Sequence, residues 1–382
     1  MHHRRKTGTE TRLYTSTASL PDDWKALLPA DHFLQPGQLA VNEAADFPDI
    51  SFLYALVYRQ GQPVAAAYFQ VLSLKSNHVS NTAYGVLPRT LWHLLTGIAR
   101  PKLLVAGHLF RHDIRSFYAS PALSDYDAFG CYKAAIDAAA GKSCASAVLV
   151  KDMPEALVTY FQHFAPQYLM LRNDISMEME IPATWHSLDD YEKALKHKYA
   201  QRLRKIRQGL EGLEVKELDD GEIIAQKEKL YALYLQVCRH QPVTMGFLSP
   251  EFIVLLRRFY EGQLKVWALY EQGEMIAFLS GWAREAVFDM FYIGFDYNRN
   301  AGRNLYFNIL FLSLQQAIAL GKSKLVLGRT ALDAKARLGC RPRYLHTFLY
   351  IRNPVLRNYV LRQQQSISAE EGSWENKHPL KK

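Results

Sequence analysis

At 382 residues the chain is too long for one ordinary domain and long enough for two, each with its own core. A hydrophobic fraction of 49% excludes a disordered body, and a formal net charge of +9 asks for an anionic partner: a phosphorylated cofactor, a nucleic acid or an acidic membrane surface. Cys131, Cys144, Cys238 and Cys340 lie far apart, without ligand or disulfide spacing, which fits a reducing compartment.

Residues 1–45 read as an N-terminal extension. It opens on Met1-His2-His3-Arg4-Arg5-Lys6, then Thr, Glu and Ser where a signal peptide needs an apolar core, and residues 1–20 are expected to be mobile. A first domain is expected over 46–187. Its hairpin, 54–67, turns at Gln60-Gly61. A strand over 102–110 leads through a long loop to an alanine-rich helix over 129–140 and a strand over 145–150; strand-like residues 168–181 close the domain. His108, His112 and Asp113 cluster after the strand, but no further His or Cys has metal-ligand spacing, so His108 and Asp113 are read as lining a cleft for substrate, without metal.

Residues 188–212 form a connecting basic helix. Leu195, Tyr199, Leu203, Ile206 and Leu210 make its apolar seam, and Lys193, Lys196, Lys198, Arg202, Arg204, Lys205 and Arg207 its other face. Such a face is either simply solvated or receives an anionic partner.

The second domain, 213–365, repeats the order of the first. Its hairpin, 266–279, turns at Gln272-Gly273, 212 residues after Gln60-Gly61. A strand over 288–296 follows, then the loop Arg299-Asn300-Ala301-Gly302-Arg303-Asn304, a helix over 302–320, a strand over 324–327 and strand-like residues 343–351. A glycine-containing loop between strand and helix leaves N–H groups unpaired at the positive end of the helix dipole, and here two arginines flank it. The reading is a phosphate or pyrophosphate site. The first domain has Asp125 and Asp127 at this place and no glycine, so one such site per chain is expected. The apolar stretch 305–320 is broken by Asn308, Ser313, Gln315 and Gln316 and is short for a bilayer; residues 366–382 read as a mobile tail. A soluble cytoplasmic protein, able to touch a membrane surface, is expected. Asp289 is the candidate general base, placed by strict alternation on one face with Phe291, Ile293 and Phe295, and Tyr292 on the opposite face is a proton-donor candidate.

The chain resembles the GNAT superfamily of N-acyltransferases, in particular its tandem, Fem-type members, over about residues 46–360, strongly in the second half and weakly in the first. The family's pyrophosphate loop is Arg or Gln, two residues, Gly, one residue, Gly or Ala. Arg299 and Gly302 match it, and Asn304 departs from it. The resemblance implies an α+β chain of two GNAT-like folds, each a mostly antiparallel sheet flanked by helices. It further implies an acyl thioester whose pantetheine arm pairs with the strand 288–296, Gly294 allowing close approach. Many single-domain members carry an acidic tyrosine four residues before the glycine of the last helix. Here that place is Lys335, in a Lys-x-x-x-Gly segment like that of the tandem branch, where lysine would orient substrate or stabilise charge.

The expected function is therefore transfer of an acyl group from a coenzyme A or acyl carrier protein thioester to an amine, on a small molecule or on a lipid or cell-wall precursor. The alternative donor is aminoacyl-tRNA, held through Lys193 to Arg207. The non-enzymatic alternative is a nucleic-acid or membrane-surface binding protein on the same fold.

Overall fold

The computed structural model describes residues 9–75, 100–111, 114–171, 174–241, 244, 246–367 and 377–381. Contacts divide the chain into two units: Met1–Arg172 with Val243–Leu248 and Leu345–Gln364, and Asn173–Pro242 with Ser249–Tyr344 and Gln365–Lys382. In chain order the first unit has β1 (Thr9–Tyr14), β2 (Ile50–Arg59), β3 (Gln62–Ser73), β4 (Lys102–Ala106), β5 (Phe117–Ala119), β6 (Ala147–Val150) and β7 (Leu169–Leu171). The second has β8 (Ile175–Glu180), β9 (Leu213–Glu217), β10 (Leu264–Glu271), β11 (Glu274–Ala283), β12 (Val287–Phe295), β13 (Lys324–Gly328) and β14 (Arg341–Tyr344), and β15 (Thr347–Ile351) returns to the first.

The first sheet runs β1-β2-β3-β4-β6-β15-β7, with β5 on β3, and the second β14-β8-β13-β12-β11-β10-β9. Each is antiparallel except for one central parallel pair, β4 with β6 and β12 with β13. With twelve α-helices among the described residues, this is a mixed architecture of two mostly antiparallel sheets flanked by helices, as expected. The closing strands do not stay with their own halves. β8 follows the first half but joins the second sheet between β13 and β14, and β15 joins the first between β6 and β7.

The two hairpins share their local detail. Gln60 and Gly61 (φ 53° and 77°) and Gln272 and Gly273 (φ 51° and 81°) form turns with both central residues left-handed, a geometry that matches strand twist and favours glycine. In each hairpin the register then slips, after Val57 in one and after Leu269 in the other, positions again 212 apart.

Three boundaries differ from expectation. The N-terminal extension is structural: β1 pairs with β2 along its length, and Trp24 is fully buried, its indole N–H donating to the Leu34 carbonyl at 2.7 Å. The basic helix is broken, Leu188–Ala194 and His197–Arg207, because Leu195 bridges Leu380 while the Lys196 N–H donates to the Pro379 carbonyl at 2.8 Å. That pairing also fixes residues 379–381 of the supposed mobile tail to the second unit.

Candidate functional site

β12 and β13 pair at only three positions, Val287 with Lys324, Phe288 with Leu325 and Asp289 with Val326. β12 continues along β11 to Phe295, while β13 ends at Gly328 (φ 77°). Among the described residues, no strand covers the β13-side edge of residues 290–295. The result is a notch where N–H and C=O groups that lack a strand partner on this edge could pair with an extended amide-bearing arm.

A bulge in β12 corrects the expected alternation. Leu279 faces Ile293 and Gly281 faces Met290, so Phe291 and Tyr292 together oppose Ser280. The Ser280 hydroxyl takes up the slack, donating to the Tyr292 carbonyl at 2.7 Å and accepting from its N–H at 3.0 Å. The extra residue reverses the side-chain order beyond it. Met290, Ile293 and Phe295 therefore pack into the core with Leu305 and Ile309. Asp289 instead shares its face with Phe291 and Tyr292: its cross-strand partner Trp282 stacks edge-on against Phe291, and Tyr292 packs on Tyr234 of the helix Asp220–Arg239. Asp289 is buried, at 5% exposure. Burial, with Cys238 nearby, pushes the Tyr292 phenol far above the tyrosine range, so it stays protonated.

Gly294 also reads differently. A Cβ there would lie 2.6 Å from the backbone of Leu233 and Tyr234, so the close approach it permits is that of the chain's own helix.

The segment expected as a phosphate loop is mostly helical. Tyr297–Arg303 forms a short helix, Asn304 turns left-handed (φ 49°), and the helix Leu305–Ala319 begins at once. The Asn304 N–H donates to the Asn300 carbonyl at 2.7 Å, and the Tyr306 N–H to Asn300 Oδ1 at 3.0 Å. These amides, expected to be unpaired, are thus used. Asn at position 304 fits because it tolerates the left-handed joint better than most residues. Arg299 donates to Glu271 at 2.6 Å and to Glu274 at 2.5 Å, with Asp296 at 3.5 Å. Arg303 donates to the other Glu271 oxygen and, at 2.7 Å, to the Glu211 carbonyl. Ala301 and Gly302 are exposed.

Asn308, in sequence only an interruption of an apolar helix, holds this junction in place. Fully buried, it donates to the Ile206 and Arg303 carbonyls, both at 2.9 Å. Gly209 lets the basic helix's end come this close, since a Cβ would fall 2.0 Å from the Arg303 carbonyl oxygen. An open cleft of about 490 Å³ lies beside the junction, lined in part by Lys205, Gln208, Glu271, Arg299, Gly302 and Arg303.

Lys335, on the helix Leu332–Leu338, is only 1% exposed, and desolvation lowers its pKa to about 7 against a weak opposing pull from Cys340. Burial pushes the Cys340 thiol up to about 12. Its neighbours Cys340, Ala336 and Leu338 belong to the second unit's core.

His108 does not line a cleft. It is fully buried, its Nδ1 accepts from the Phe110 N–H at 3.1 Å, and its Nε2 lies 3.0 Å from Asn42 Oδ1, to which it therefore donates. His112 and Asp113 lie outside the described residues. On the basic face, Lys193, Arg204 and Arg207 pair with Asp190, Glu192 and Asp189. Lys196, Lys198, Arg202 and Lys205 are exposed, with no carboxylate among the described residues within salt-bridge distance.

No protein-family model matches the chain. In two strains of Mycobacterium tuberculosis, a protein bearing the name 8-amino-7-oxononanoate synthase 2 is 29% identical over 161 residues, 41% of this chain and 21% of that protein. The chain thus spans about a fifth of the length of the curated relatives it matches. Among solved structures, FemX is 10% identical, covering 91% of this chain and 99% of that one at a TM-score of 0.47. A tandem GNAT protein from the clavulanic acid biosynthesis pathway is 9% identical, covering 90% and 99%, also at 0.47. These likenesses concern the fold alone. No helix among the described residues is long and apolar enough to cross a membrane.

Proposed function

We propose that the chain is an N-acyltransferase that moves an acyl group from a coenzyme A or carrier-protein thioester to an amine, with its site in the second unit. The observation that carries this is the notch: β12 parts from β13 after three pairs and continues as a bulged strand that carries the buried carboxylate Asp289. A thioester carbonyl held there would lie next to Asp289, and Lys335 is the second buried ionisable side chain assigned to the reaction. Asp289 takes the proton of the attacking amine. Lys335, titrating near 7, supplies positive charge to the tetrahedral oxyanion or a proton to the departing thiolate. The names FemX and GNAT borne by proteins of similar fold agree with transfer chemistry.

The test is thermal unfolding with coenzyme A, acetyl-coenzyme A and a long-chain acyl-coenzyme A. A ligand at a hundred times its Kd stabilises by about 2.7 kcal/mol. Gly302→Asp is the control: a Cβ there meets nothing within 4 Å, so the variant should fold and lose only the ligand shift. A wild type that no thioester shifts would remove this reading.

A second reading rests on Lys196, Lys198, Arg202 and Lys205, whose unpaired charge suits the backbone of an aminoacyl-tRNA donor. That donor would show steep loss of binding with salt.

A further inference from the structure

The cleft beside residues 299–304 already contains an anion, and it comes from the chain itself. Glu271 stands at the hairpin turn and divides its carboxylate between two guanidiniums, Oε2 accepting from Arg299 at 2.6 Å and Oε1 from Arg303. A phosphate bridging two arginines would use the same arrangement, one oxygen to each. Glu274 and Asp296 also face Arg299, Glu274 being shared with Lys229 at 3.1 Å. The third cation lining the cleft, Lys205 of the basic helix, is exposed and has no carboxylate partner among the described residues.

We propose that Glu271 occupies the phosphate position of the unliganded chain, so that a phosphorylated ligand binds by displacing it and is received by Arg299, Arg303 and Lys205 together. This deepens the acyltransferase reading and rests on it for the ligand's identity, though not for its charge.

The exchange sets a threshold. Three carboxylates stand against Arg299, Arg303, Lys205 and, through Glu274, Lys229, so the filled site carries only about one surplus positive charge before any ligand arrives. A phosphodiester bringing one negative charge merely replaces the charge it expels. A diphosphate or a phosphomonoester brings more, and only the surplus gains the attraction of Lys205. Glu271 thereby discriminates against single-charge anions, including the backbone phosphates of a nucleic acid, and in favour of a diphosphate-bearing donor. It is a specificity residue that acts by competition.

The experiment measures calorimetric affinities for inorganic pyrophosphate, coenzyme A and a short single-stranded oligonucleotide, on wild type, Glu271→Gln and Lys205→Met. Gln keeps the shape and an acceptor oxygen but removes the charge. Expected for Glu271→Gln is about tenfold tighter pyrophosphate and coenzyme A, with oligonucleotide binding newly measurable at this site. Lys205→Met should weaken pyrophosphate several-fold at unchanged Tm. Unchanged or weaker pyrophosphate binding by a folded Glu271→Gln protein would overturn the proposal and leave Glu271 as a strut. If coenzyme A binding proves sensitive to Gly302→Asp yet indifferent to Glu271→Gln, the acyltransferase reading survives and this inference does not. If Glu271→Gln tightens pyrophosphate while no thioester is bound or turned over, the reverse holds.

Discussion

Both units tie a hairpin turn to the start of the helix that follows the central strand, and they do so with opposite polarity. In the first, Arg59 at the turn pairs with Asp127 at 3.0 Å; in the second, Glu271, at the corresponding place 212 residues on, pairs with Arg299 and Arg303. The helices differ in the same sense. Asp125–Ser143 has a complete start: the Ser124 hydroxyl accepts from the Asp127 N–H at 3.1 Å, and two aspartates complement the dipole. Leu305–Ala319 has no acidic residue in its first turn and depends for a cap on Asn300, from the preceding helix. A helix end satisfied by its own first turn has nothing to offer an anion. One satisfied by borrowed groups can exchange them.

The buried lysines after the two parallel pairs sharpen the contrast most. In the first unit, Lys151 is 8% exposed, and its Nζ donates to the His108 carbonyl at 2.9 Å. Lys335 is more deeply buried, and its pKa falls to about 7. Between about pH 7 and 10.5 the unfolded chain holds a proton on this lysine that the folded chain has released, so stability rises with pH across that window. Below it the whole penalty is felt. Lys335→Met should therefore stabilise the fold at pH 6.5 by several kcal/mol, the advantage fading by pH 10.5, while abolishing transfer by about a hundredfold or more. Lys151→Met should instead cost about 1–3 kcal/mol, because it removes a charge-assisted hydrogen bond from a buried site. Denaturant unfolding of both variants at several pH values, set against turnover, tests the pair; a Lys335→Met that destabilises at neutral pH would make this lysine an ordinary structural one.

Repetition was legible in the sequence because hairpin and turn geometry is local. Gln-Gly fixes a left-handed pair wherever two strands meet at a two-residue turn, and the shared register slip follows from it. What was not legible depends on distant partners. Nothing in Tyr292 announces a bulge, since its cause is Ser280 on the neighbouring strand. Likewise Gly294 looked like space for a ligand because the helix bearing Leu233 lies sixty residues earlier, and His108 looked like a cleft residue because Asn42 and Phe110 close it off only in the fold. The exchange of β8 and β15 is of the same kind: strand sequences specify pleat and burial, not the sheet that receives them.

Glycines give the next effect. Gly209 backs the second unit's helix junction at 2.0 Å, and Gly209→Ala should cost about 1–3 kcal/mol by forcing the junction apart. Gly302 and, in the first unit, Gly130 are helical with nothing within 4 Å of an added Cβ, so alanine at either should be neutral or gain about 0.5–1 kcal/mol. Thermal unfolding of the three variants separates a junction built against a second element from two that are not; an equal response would remove that difference between the units.

The smallest effect should come from the ties themselves. Arg59 and Asp127 are each about a third exposed, 33% and 34%, and Arg299 and Arg303 both 32%, so solvent screens all of these pairs. Arg59→Gln and Glu271→Gln should each move stability only slightly, and less at high salt. Their equality in unfolding is the point of measuring them together. If the ties are equivalent struts, neither substitution should change anion affinity. If the polarity of the second unit serves binding, Glu271→Gln should tighten pyrophosphate while Arg59→Gln, at the corresponding place, does nothing to it. A matched loss of stability with no change in affinity in either variant would reduce the charge reversal to a difference without function.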